Sequence, residues 1–138
     1  MAKKNVDCQV IDFLALEGVA SKALGGTADA WTFTYPMTQG ASYAFEYALS
    51  SAGTIAAEVV LEQGNTVLTD AQEGLTNTDF VVPEDAAAFD ASVVDANTHI
   101  KAYAPAAAAF GRLKFTGTGS NAATTVISKA KMTVIKGG

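Results

Sequence analysis

The side chains able to do acid–base, nucleophilic or metal chemistry are few and scattered. His99 is the only histidine and Cys8 the only cysteine. A zinc site needs several thiolate or imidazole ligands, which one residue of each kind does not supply. A Ser–His–Asp triad would have to join His99 to Ser42, Ser50, Ser92 or Ser120. No nucleophile elbow presents any of these serines: the stretch 40–44, GASYA, lacks the final glycine and runs into a strand rather than a helix. Carboxylates cluster as Asp70/Glu73, Glu84/Asp85, Asp90 and Asp95. Glycoside hydrolysis needs a pair across a cleft, and a calcium loop needs regularly spaced oxygens around a turn glycine. Segment 90–97 has the oxygens and no glycine. Gly117-Thr118-Gly119-Ser120 lacks the lysine of a phosphate loop and leads into another strand, so it reads as a hairpin turn. No complete catalytic set emerges. The expectation is a protein that is not an enzyme and uses no cofactor or metal.

Aromatic side chains offer a second kind of chemistry. Trp31, Tyr35, Tyr43 and Tyr47 would suit a sugar-stacking platform if exposed together. Tyr43 and Tyr47, however, share a strand face with Phe45 and Leu49, which favours burial in a core. A row of exposed Trp31, Tyr35 and Tyr103 would instead mark a carbohydrate- or receptor-binding module.

The elements that must carry these residues are strands. Leu113 and Phe115 alternate with Arg112 and Lys114, the period of a half-buried strand. Tyr43, Phe45, Tyr47 and Leu49 alternate with Ala44, Glu46 and Ala48; Ile55, Ala57, Val59 and Leu61 repeat the pattern. Residues 30–37 read as a strand with Trp31, Phe33 and Tyr35 on one face and Thr32 and Thr34 on the other, ending at an edge near Pro36. Residues 6–16 read as a first strand whose phase slips near Val10, and 20–24 as one helical turn stopped by Gly25-Gly26. Residues 66–69 form a short strand, and 98–104 a strand with His99, Lys101 and Tyr103 on one side. A helical start signal occurs at Pro83-Glu84, so the one short helix is expected near 84–94. Turn signals every ~8–12 residues and about eight strands predict an all-β fold, an antiparallel β-sandwich of jelly-roll-like or Ig-like kind. The predicted core is Trp31, Phe33, Phe45, Tyr47, Ile55, Val59, Leu113 and Phe115.

A chain of 138 residues is one domain by size, 1–138, with 1–5 a flexible N-terminal arm. It is long enough to bury a core without disulfides or metals. Its hydrophobic share of 49% is inflated by alanine. A net charge of −5 argues against a nucleic-acid partner, which needs clustered cations. No apolar run approaches a transmembrane span, so no membrane partner is expected. The start, MAKKNVDCQV, has no apolar h-region, which predicts synthesis and residence in a cytoplasm.

Two segments go further. TFTYPMTQGASYAFEYALSSAGTIAAEVVLEQGN joins an aromatic strand to a small-residue hairpin, and AAFGRLKFTGTGSNAATTVISKAKM closes the chain with Arg–apolar–basic–apolar, a Gly-Thr-Gly-Ser-Asn turn and a β run. Across residues 31–136 this resembles the small β-sandwich virion proteins of tailed bacteriophages, nearest to the capsid decoration or cement proteins. Leu61-Glu62-Gln63-Gly64-Asn65 departs from the Ser-x-Asp-Gly turn expected there. The resemblance implies a structural protein of the outer capsid surface, made in the host cytoplasm. It implies a homotrimer whose partner is the major capsid protein, bridging coat subunits to stabilise the shell. The candidate capsid-contact arm is Lys3, Lys4 and Asn5, whose lysines suit an acidic coat surface. The competing reading is a carbohydrate- or receptor-binding sandwich of a virion or bacterial surface.

Overall fold

The computed structural model describes residues 7–24, 29–38, 41–84, 89–103, 106–119 and 121–136. Among them the strands are β1 (Asp7–Asp12), β2 (Lys22–Ala23), β3 (Asp29–Trp31), β4 (Tyr35–Pro36), β5 (Ser42–Ser50), β6 (Ala57–Gly64), β7 (Asp90–Val93), β8 (His99–Tyr103), β9 (Phe110–Gly117) and β10 (Val126–Lys136). One short helix, α1 (Phe13–Glu17), follows β1, and a 3-10 turn at Ala122–Thr124 precedes β10. The strands make two antiparallel five-stranded sheets. The first has the order β1-β10-β5-β8 with β2 also on β10; the second has β3-β9-β6-β7 with β4 also on β9. The chain is an all-β sandwich.

Alternation in the sequence becomes the core between the sheets. Tyr43, Phe45, Tyr47 and Leu49 of β5 are buried, as are Ile127, Ala130, Met132 and Val134 of β10. From the second sheet come Ala57, Val59, Leu61, Val93, Leu113 and Phe115. Phe89 fills the centre, its ring 5.1 Å from Phe45 and 6.0 Å from Tyr103. Such edge-on aromatic pairs add to the burial of apolar area itself.

Several expectations need correction. The strand expected over 6–16 ends at Asp12, whose Oδ1 accepts from the backbone N–H of Leu14 and Ala15 and so caps α1. Gly18 closes the turn at φ 76. The phase slip near Val10 falls inside β1, whose register with β10 is unbroken from Asp7 to Asp12: Cys8 and Val10 are exposed on the outer face while Ile11 is buried in the core. The segment expected to be helical near 84–94 carries β7 at Asp90–Val93 instead, paired with β6; 85–88 lie outside the described residues. Residues 22–23 pair with β10 rather than coil, and 66–69 form no strand.

The phase of residues 30–37 is also inverted. Ala30 and Thr32 are buried, while Trp31 and Phe33 are half-buried on the outer side. Thr32 explains the break between β3 and β4. Its N–H donates to Leu113 O at 2.9 Å, and its hydroxyl accepts from Leu113 N at 2.9 Å. A buried threonine hydroxyl thus takes the place of a ladder carbonyl.

Candidate functional site

The two outer faces of the sandwich differ. On the second sheet, residues 65–80 lie as a strap across β6 and β9. Arg112 explains why. Alternation on β9 turns it away from the core, yet it is fully buried, at 0% exposure. Its Nε donates to Glu62 Oε1 at 2.9 Å, and its Nη1 donates to Leu75 O in the strap at 2.7 Å. The guanidinium lies between the rings of Trp31 and Phe80, 5.5 and 5.1 Å from their centroids. Glu73 ties the strap to the other side of the sheet, accepting from the backbone N–H of Thr34 at 2.7 Å and from the Thr34 hydroxyl. Gly74 holds φ 75 next to this anchor, a conformation costly for other residues. Sequence alternation gave Arg112 an outward direction but no sign of this cover, because Glu62 and Leu75 are brought to it only by the fold.

The first sheet has no such strap over its outer face among the described residues. Four strands present paired rows there. Asp12, Lys131, Glu46 and Ile100 form one row across β1, β10, β5 and β8. Val10, Thr133, Ala44 and Ala102 form the next, and Cys8, Ile135 and Ser42 a third. Val10 is 61% exposed and Ile100 68% exposed, at opposite edges of a surface of small side chains. Lys131 and Glu46 approach to 4.0 Å within the face. Lys129 reaches across the buried Ala48 to donate to Thr98 Oγ1 at 2.9 Å. Ala44, Ala102 and Thr133 hold the middle of the face.

Sheet edges are less open. Lys101 of the edge strand β8 turns inward, its Nζ 5.0 Å above the Phe89 ring and donating to Asp90 O at 2.8 Å. Pro36 sits in β4 at an edge of the other sheet. Inward charge and proline both hinder strand addition.

Among the residues singled out for chemistry, His99 and Asp95 meet. His99 Nε2 lies 2.8 Å from Asp95 Oδ1, and its ring stacks on Tyr47 at 5.7 Å. The Asn97 backbone N–H and then His99 hold the Asp95 carboxyl below its usual range. Ser42 and Ser50 lie on the outward side of β5, Ser92 on the other sheet, and Ser120 outside the described residues. Among the described residues no three His, Cys, Asp or Glu side chains gather as a metal site. Cys8 is exposed on β1. Glu84 and Asp70 stay in connecting segments, and Asp85 lies outside the described residues. Gly117 ends β9, and the connection after it leads to β10 in the other sheet, so the hairpin turn expected here is a crossover between the two sheets instead. Tyr103 is buried, its hydroxyl accepting from Gln63 Nε2 at 2.7 Å, and Tyr35 is half-buried. Trp31, Tyr35 and Tyr103 therefore make no exposed row. A cavity of about 380 Å³ opens beside Gln63, Asn65, Thr66, Asp79 and Val81, without an aromatic wall. Lys3, Lys4 and Asn5 lie outside the described residues.

No family model, no curated protein and no solved structure matches this chain. Among the described residues, a strap covers one outer face of the sandwich and none covers the other.

Proposed function

We propose that this protein is a structural virion protein. It decorates the outer surface of an icosahedral phage head and bridges coat subunits to stabilise the shell. The observation that carries the reading is the bare four-stranded face of β1, β10, β5 and β8, on a domain whose opposite face is sealed by its own chain. The resemblance across residues 31–136 supplies the class of partner, the major capsid protein. The protein acts without catalysis, cofactor, nucleic acid or membrane.

Bridging works by multivalency. Linked copies convert second and later contacts into intramolecular events, so weak single contacts give high avidity. The protein is therefore a homo-oligomer on the particle. Contact with acidic coat surface is assigned to Lys3, Lys4 and Asn5, which precede β1 in the sequence. The experiment is removal and return. Stripped particles should release DNA at lower temperature, and added protein should restore the original value while ignoring isolated coat subunits. Stripped particles with unchanged composition and heat stability would remove the shell role. The buried Tyr103 weighs against the sugar-binding alternative, for which a clear hit on a sugar array would be the supporting result.

A further inference from the structure

The bare face is complementary to itself. We infer that it pairs with the same face of a second copy about a two-fold axis running parallel to the strands, between β10 and β5. The inference rests on the docking-face reading above and gives that face to a second copy, so that it links copies and the coat contacts fall on other surfaces of the pair.

The register fixes what meets what. Such an axis lays β10 of one copy on β5 of the other, and β1 on β8. Lys131 pairs with Glu46 within the chain, so after rotation each Lys131 faces Glu46 of the second copy. Thr133 faces Ala44, and Val10 faces Ala102 beside the exposed Ile100. Two opposite-charge contacts thus form at the centre, while at the edges Val10 lies on Ala102 and Ile100 lies opposite Asp12. An axis across the strands through the same row would set Lys131 on Lys131 and Glu46 on Glu46, which repel. The charge pattern therefore selects one orientation.

Charge balance and shape agree with this. The chain carries −5, yet the face holds two acids, Asp12 and Glu46, against two bases, Lys129 and Lys131. The acidic excess lies elsewhere, and two such faces approach without net repulsion. Small side chains in the middle row let the sheets reach the ~10 Å spacing and near-aligned crossing of packed sheets. Lys101 and Pro36 disfavour the competing edge-to-edge association. Four strands at ~4.8 Å spacing, over the paired rows, give a patch on the order of 400 Å² in projection. A standard interface buries about 800 Å² per partner, so this patch is about half that size and belongs with weak, reversible contacts.

Sedimentation equilibrium of the full chain across the micromolar range tests it. The wild type should fit a monomer–dimer equilibrium. Lys131→Glu and Glu46→Lys each set like charges opposite one another and should raise the dissociation constant at least about tenfold. Mixed together, the two variants should associate about as tightly as the wild type, because the substituted positions 131 and 46 then oppose each other with opposite charge in one contact, and the native Lys131 and Glu46 do so in the other. A role for the pair only within one chain would gain nothing from mixing. A wild type that stays monomeric, one that forms the trimer implied by the resemblance, or a mixture no tighter than its components would overturn the pairing. Particle binding is a separate readout: a dimer that fails to return to stripped particles removes the shell role and leaves the pairing intact.

Discussion

Removing Arg112 is the sharpest perturbation of the fold. The side chain is fully buried, and Arg112→Ala would strand the Glu62 carboxylate, whose side chain is 11% exposed. Breaking a buried ion pair by removing one partner costs about 3–5 kcal/mol, because the remaining charge stays desolvated. The same change frees Leu75 O, the strap's carbonyl partner, and takes the guanidinium from between Trp31 and Phe80. For a domain of 138 residues this corresponds to a fall in Tm of roughly 10–17 °C. Replacing both members with Met should recover most of that loss, since Arg112 Nη2 is itself buried without a protein hydrogen-bond partner and the native pair offsets its desolvation only in part. Urea unfolding of the single and double variants measures both quantities. A loss below about 1 kcal/mol for Arg112→Ala would refute the reasoning, since it would place the guanidinium in water.

Three further outcomes follow from named contacts. Phe45→Ala, at a position of 0% exposure inside the aromatic cluster, should cost about 3–5 kcal/mol by chemical denaturation. Gly64→Ala would set a Cβ 2.5 Å from the Asp79 carbonyl oxygen and 3.0 Å from the Phe80 ring, so it should destabilise the strap's end; amide exchange should rise first near Phe80. Burial raises the phenols of Tyr43, Tyr47 and Tyr103 above their usual value near 10. The unfolded chain therefore releases those protons first, so stability should hold at neutral pH and fall as pH rises above about 10. Tyr47→Phe should make that alkaline fall shallower in a pH series of thermal melts.

Legibility tracked how many sides of a strand are covered. β5 and β6 were readable because one side of each meets the core and small or polar residues hold much of the other, which is the condition for clean alternation. The region of Trp31 and Phe33 inverted its phase because the strap covers the outer side as well. Bulky side chains then occur on both faces, and the larger ones are not the core ones. Arg112 failed to announce its burial for the same reason. Helix α1 had its signals in Asp12 and Gly18, but a stretch as short as FLALE shows no helical period against a strand. The stretch after Pro83 carried a helix start and still yields β7, since pairing with β6 outweighs a local preference. The bare face was not legible at all. Ala44, Thr133 and Ala102 look like any solvated strand positions, and only the register of four strands sets them side by side.

The central claim is that the protein sits on the outside of a phage shell as an oligomer that links coat subunits. Cryo-electron microscopy of the source particle tests it most directly. The account predicts a two-sheet sandwich on the outer capsid surface, in contact with more than one coat subunit, with copies joined through the β1-β10-β5-β8 face. A particle whose outer shell carries no such density, or carries the sandwich only in the tail, would contradict it.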